Sequence, residues 1–337
     1  MKHRENRGLR RGRFEWTVMA LSVSAVGMLA LSGAITAGAF RPVSSTISHG
    51  PVSGPCSVGT EPTFPGFDPV NHDVYVPNSL SSNITVLSAT CVKVGTITLP
   101  FGSIPYAAAF DPANNEMYVT DIGLPGVYAI SGTTVVSTIT SSSFVAPAQL
   151  VWDPGDNLML VADSYANAVI AISGSTVIGS VAVGSYPYGI CYDPYYNVIV
   201  VANQASTNVT LLNAYSPLAS ALANINVSYG PTGCAFDIAN HEDYILNGNQ
   251  VTVMTGTGYV LANIPVGKYP KGIAWDQAKL AVYVTNGNAG TISVISGTSV
   301  VKTIKGVATT PYGLTYDEVN DRMYVAAFGS NVVYIVA

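Results

Sequence analysis

Residues 270–286 read PKGIAWDQAKLAVYVTN, and this 17-residue frame, found seven times without a gap, decides the fold. An aromatic residue followed by Asp recurs at Asp68, Asp111, Asp153, Asp193, Asp237, Asp276 and Asp317, at spacings of 43, 42, 40, 44, 39 and 41 residues. Six residues before each Asp stands Pro: Pro62, Pro105, Pro147, Pro187, Pro231, Pro270 and Pro311. Seven residues after it stand Tyr75, Tyr118, Leu160, Val200, Tyr244, Tyr283 and Tyr324. Ten residues after it comes Asn78, Asp121, Asp163, Asn203, Asn247 or Asn286, with Ala327 departing in the last copy. A fixed period near 42 residues is the mark of a repeat architecture.

Each unit divides into four short strands. In the sixth, KGIAW is strand a, AVYVTN strand b, TISVIS strand c and SVVKTI strand d. The Asp that ends strand a and the Asn or Asp that ends strand b both suit tight turns, because their side chains bond back to nearby main chain. Seven such units predict an all-β fold, a seven-bladed β-propeller of four-stranded blades. Trp152-Asp153 and Trp275-Asp276 fall at the end of strand a without a Gly-His partner, unlike the tryptophan–aspartate repeat propellers. The last unit stops after its third strand, VVYIV. Residues 43–48, VSSTIS with Thr46-Ile47, match the Thr-Ile ends of other d strands and are predicted to close the ring from the N-terminal side, leaving HGPVSGPCSVG as an inserted loop. Closure by terminal pairing removes two open sheet edges.

These repeats resemble the YVTN family of β-propeller repeat proteins. Tyr283-Val284-Thr285-Asn286 carries the motif unaltered, and the other units read YVPN, YVTD, LVAD, VVAN, YILN and YVAA. The resemblance, over about residues 42–337, implies a surface-displayed propeller of the archaeal and bacterial cell-surface type, without an assigned reaction. A propeller fold alone names no function.

Upstream, residues 1–40 carry six of the fourteen Lys/Arg and two of the nineteen Asp/Glu. The remaining chain has a net charge of −9, from 8 basic and 17 acidic residues, which speaks against nucleic-acid partners. Residues 1–15 form a basic segment expected in the cytoplasm, and the apolar run 16–40 is long enough to span a bilayer as one transmembrane helix. The alternative is a cleaved signal peptide, with Ala37-Gly38-Ala39 as a small-residue site. Either way, residues 41–337 form the propeller, expected at the cell membrane facing outward, or secreted.

Chemistry is signalled mostly by what is missing. Inner stretches such as PYAAA, PAQLV, PYGIC and PTGCA hold no carboxylate, so no catalytic residue, no metal and no cofactor is assigned, against the lactonase-like hydrolase alternative. His72 and His241 occupy equivalent a–b turns in different units. Asp121 and Asp163 either cap their own turns or offer oxygens to Ca²⁺. Cys191 and Cys234 lie on neighbouring a strands and either meet or stay buried and free, whereas pairing Cys56 with Cys91 needs the inserted loop to cross a blade. Asn83, Asn208 and Asn226 sit in glycosylation sequons or serve turns. The d–a connections gather Tyr106, Tyr186, Tyr188, Tyr269, Lys271 and Tyr312, a candidate rim for an extracellular glycan or protein ligand.

Overall fold

The computed structural model describes residues 52–337. The predicted membrane segment and residues 43–48 lie outside them. Among the described residues, seven antiparallel four-stranded sheets follow one another, six of them each contributed by one repeat and the seventh by the last repeat together with an N-terminal strand. The sixth holds Pro270–Asp276, Ala281–Asn286, Thr291–Ser296 and Ser299–Lys305, as its sequence predicts.

The ring is closed by an N-terminal strand, but not by the stretch expected. Ser53–Ser57 pairs antiparallel with Val332–Val336, with Cys56 opposite Val333 and Ser57 opposite Val332. The closing strand therefore falls within the expected inserted loop. Cys56 is buried where other outer strands bury Ile97, Ile139, Ile264 and Ile304, so burial alternation, not the Thr-Ile pair, fixes the register. Ser57 lies at the b–c end of blade 7 and Ser53 toward its a–b end, so the chain enters the propeller from the a–b side.

Each repeated residue has a task. The Asp ending strand a accepts main-chain N–H bonds in its turn, as Asp111 does from Ala113 (2.8 Å) and Asn114 (3.2 Å), and Asp317 from Val319 (3.0 Å) and Asn320 (2.9 Å). The Asn three residues on donates to the other carboxylate oxygen: Asn114 to Asp111 (2.7 Å), Asn240 to Asp237 (2.8 Å) and Asn320 to Asp317 (2.9 Å). The Tyr seven residues on crosses to the next blade. Tyr75 donates to the Gly132 carbonyl (2.8 Å), Tyr118 to Gly174 (2.8 Å), Tyr244 to Gly297 (2.9 Å) and Tyr324 to Ala89 (2.9 Å). Where strand b offers Thr, its hydroxyl also bridges blades, from Thr120 to the Ala148 carbonyl (2.7 Å) and from Thr285 to that of Tyr312.

The apolar seams obey one rule. The residue seven after the Asp packs against the residue six after the Asp of the next blade: Tyr75 with Met117, Tyr118 with Met159, Leu160 with Ile199, Tyr244 with Val282, Tyr283 with Met323 and Tyr324 with Val74. Inner strands approach very closely around the axis. A Cβ on Gly189 would lie 2.5 Å from the Gly233 Cα, and one on Gly313 would lie 2.4 Å from the Thr63 carbonyl, so glycine is required there.

Two disulfides add covalent ties. Cys56 joins Cys91 (Cα–Cα 5.4 Å), fastening the closing strand to the c–d turn of blade 1. Cys191 joins Cys234 (Cα–Cα 5.8 Å) between the inner strands of blades 4 and 5.

Candidate ligand-binding face

The d–a and b–c connections share one end of the ring, and the predicted rim residues divide there into two groups. Tyr106, Tyr188 and Tyr312, on the inner strands of blades 2, 4 and 7, turn into the channel. Tyr106 and Tyr188 are hydrogen-bonded through their hydroxyls, and both hydroxyls reach that of Tyr312, at 3.0 Å and 3.2 Å. A ring of three hydroxyls satisfies itself, since each can donate once and accept once. Phe64 packs against all three rings at centroid distances of 5.1–6.2 Å, and Phe328 stacks on Tyr312 at 5.1 Å. Tyr106 is only 9% exposed. These three are thus not an open rim but a plug, because inner strands converge toward the axis and large side chains starting there meet. Burial and the neighbouring Tyr312 hold the Tyr188 hydroxyl well above its usual pKa, so it stays protonated.

Tyr186, Tyr269 and Lys271 stay outside the plug. Tyr186 meets Tyr165 edge-on (5.4 Å), and the Lys271 ammonium sits over the rings of Tyr269 (4.8 Å) and Tyr312 (5.4 Å). Among the described residues Lys271 has no carboxylate partner; the ion pairs belong to Lys279. Tyr186 and Tyr269 precede Pro and adopt left-handed backbone (φ 57° and 60°). Asn167 accepts the Tyr186 N–H (2.9 Å) and Asn249 that of Tyr269 (3.1 Å), which secures this uncommon geometry.

Two further tyrosines join them. Tyr165 on a b–c turn is 66% exposed, and Tyr229, two residues before Pro231, is 57% exposed, alongside Tyr269 at 58%. The arc Tyr165, Tyr186, Tyr229 and Tyr269 thus spans blades 3 to 6. Reading only residues adjacent to the repeated Pro misses Tyr165 and Tyr229; the common end of b–c and d–a connections was the available signal. On the other side of the same end, Phe101, Ile104 and Leu124 are exposed apolar residues.

Below the plug lies a channel cavity of about 160 Å³, lined by Ala107, Gln149, Ile190, Gly233, Lys271 and Ile273 among others. None of its lining residues is Asp, Glu or His. Asp121 and Asp163 do not look into it. Asp121 accepts from Ile104, Gly123 and Leu124 N–H and from the Tyr128 hydroxyl, while Asp163 accepts from Val145, Ala146 and Ala166 N–H. Both are turn caps. Among the described residues no three His, Cys, Asp or Glu side chains gather as a metal cluster. His72 and His241 lie on separate a–b turns, His241 stacked on Tyr195 at 3.9 Å. Asn83 and Asn208 are engaged in their turns by Asn78 and Asn203 (2.9 Å each), and Asn226 is exposed at the end of its strand.

No protein-family model matches the chain, and no curated protein matches it. The likeness to YVTN repeats therefore rests on the repeated residues alone. Solved structures do match. A streptogramin B lyase superposes with TM-score 0.72 at 11% identity, over 84% of this chain and 96% of that one. A catalytically inactive histidine-to-alanine variant of virginiamycin B lyase from Staphylococcus aureus, with quinupristin, gives TM-score 0.71 at 14% identity, over 86% and 98%. Hydrazine synthase of Kuenenia stuttgartiensis gives 0.70 at 15%, over 87% and 98%. At such identities the likeness is one of fold.

Proposed function

We propose that the chain is a binding module, displayed outside the cell by its N-terminal segment, that takes a glycan or peptide ligand on the tyrosine face. The observation that carries this reading is the arc of exposed Tyr165, Tyr229 and Tyr269 with the half-buried Tyr186, and beside it the Lys271 ammonium, which has no carboxylate partner among the described residues. Each ring offers a flat apolar face and a hydroxyl, and each is set on a short connection, so little conformational entropy is lost on binding. The plug beneath makes this face a platform rather than the mouth of an open tube. The chain enters from the opposite, a–b side, which suits presentation of the tyrosine end to a ligand.

The enzyme reading draws on the lyase neighbours. One of those, a histidine-to-alanine variant, is catalytically inactive. In this chain the cavity lining offers Gln149 and Lys271 but no histidine or carboxylate to move a proton. That chemistry favours the binding reading. A glycan and peptide array probed with the purified protein tests it: ligands retained by wild type and lost by a Tyr165→Ala, Tyr229→Ala, Tyr269→Ala variant support the platform. Turnover of streptogramin-type lactones by wild type overturns it in favour of the enzyme.

A further inference from the structure

One seam breaks the apolar rule of the other six. Between blades 4 and 5, Val200 stands in place of the Tyr and Asp243 in place of the Val, Ile or Met. Asp243 is fully buried, and neither of its carboxylate oxygens has a hydrogen-bond partner among the described residues. Across the seam Asp193, also fully buried, caps Tyr195 (2.8 Å) and Tyr196 (3.0 Å) N–H with one oxygen and leaves Oδ2 unpartnered. Its Oδ2 is orphaned for a reason visible in the repeat. The position three residues on, which supplies an Asn or Lys donor to Asp111, Asp237, Asp276 and Asp317, is Tyr196 here.

Three departures from the repeat thus converge, each removing a donor or adding an acceptor. Val200 in place of Tyr also takes a ring and a hydroxyl out of the seam. Blade 3 is a natural control. Asp153 also has an unpartnered Oδ2, but the opposing residue is the apolar Ile199, so only one carboxylate lies there. The turn over the seam, Thr255–Tyr259, carries two glycines. A Cβ on Gly256 would fall 2.2 Å from Asp193 Oδ2 and 2.6 Å from the Tyr196 ring. His241 stacked on Tyr195 borders the same side.

We infer that Asp193 and Asp243 hold a hard divalent cation, Ca²⁺, between blades 4 and 5. Two carboxylates match its charge, and their three free oxygens are ligands of the type it prefers. As these are only two side chains, main-chain oxygens or water complete the shell. An all-oxygen set selects Ca²⁺ over zinc.

The test uses the full chain stripped with EDTA, with Ca²⁺ and then Tb³⁺ as probes. Ca²⁺ at about ten times its Kd raises the melting temperature by roughly 2 °C or more, and Tb³⁺ emission is sensitised through Tyr195 and Tyr196. Both responses disappear in Asp243→Met, which installs the residue blades 2, 3 and 7 carry, and in the near-isosteric Asp243→Asn. Identical melting of wild type in Ca²⁺ and EDTA overturns the site, as does a Ca²⁺ response retained by either variant. A wild type indifferent to Ca²⁺ whose melting temperature falls between pH 5 and 8 shows a proton-sharing carboxyl pair instead, and equally overturns it.

Discussion

The two ends of the ring are built from different residues. Of the 17 acidic residues in 41–337, only Glu61, Asp121 and Asp163 belong to the d–a and b–c end; the other 14 gather at the a–b and c–d end. There the carboxylates cap turns and the repeated tyrosines are buried, donating to carbonyls of the next blade. At the opposite end tyrosines occur at positions the repeat does not demand, and several stay in solvent. Exposed tyrosines occur at both ends, Tyr195, Tyr215 and Tyr259 among the carboxylates and Tyr165, Tyr229 and Tyr269 opposite, but only the latter lie clear of the acidic residues and beside a cation, Lys271. A tyrosine in register with the repeat is structural, whereas one out of register is either drawn into the plug, as Tyr106, Tyr188 and Tyr312 are, or left on the surface, as Tyr229 and Tyr269 are.

That division can be broken most forcefully where the ring is fastened. Cys56→Ser with Cys91→Ser should lower stability by about 4 kcal/mol, from the loop-closure entropy of a 35-residue separation, measured by denaturant melts. Ligand binding of the folded fraction should be unchanged. Asp111→Ala, at the same end, strips the partner from three donors and should cost about 2–3 kcal/mol, again without altering ligand affinity. A ligand-affinity change in either variant would erase the distinction between the ends.

At the tyrosine end the expectation reverses. Tyr229→Ala or Tyr269→Ala should weaken binding by about 2 kcal/mol each, near thirtyfold, while shifting stability by less than about 0.5 kcal/mol. Equal losses of stability and binding would show that these rings are part of the fold after all.

The smallest effect concerns pH at the acidic end. Burial, then repulsion from Asp237, raises the Glu242 carboxyl to about 7. Its folded pKa exceeds the unfolded value, so its contribution is fully present below about pH 4.3 and is lost as pH rises through about 7. Glu242→Gln should therefore flatten stability between those pH values. At pH 8 it should be the more stable protein, by about 1 kcal/mol after solvent screening. A variant less stable than wild type at pH 8 would contradict the assigned burial.

Local pattern explains why so much of the scaffold is readable. Strand alternation, Asp turns and the Pro at each strand start act within a few residues, so seven copies of one frame suffice to place 27 of the 28 strands. The closing strand escaped because Thr46-Ile47 imitates a strand end locally, whereas Cys56 is chosen by burial against blade 7 and by a bond to Cys91, 35 residues away. The binding face was half legible for a similar reason. Sequence put Tyr106, Tyr188 and Tyr312 beside Tyr186 and Tyr269 at the same loops. Only convergence of inner strands on one axis turns the first three inward until their hydroxyls meet, and leaves the others facing water.

The sequence by itself determined the number of blades, their order and the chemistry available to them, because a repeat states its local rules seven times over. Tertiary structure alone decided which residues from distant repeats touch. Tyr106 and Tyr312 are 206 positions apart, and Asp193 and Asp243 lie in different blades, so neither contact is coded by any local spacing. Closing a ring brings every inner strand to one axis and every seam to one neighbour, and that global constraint chose the plug and the carboxylate pair.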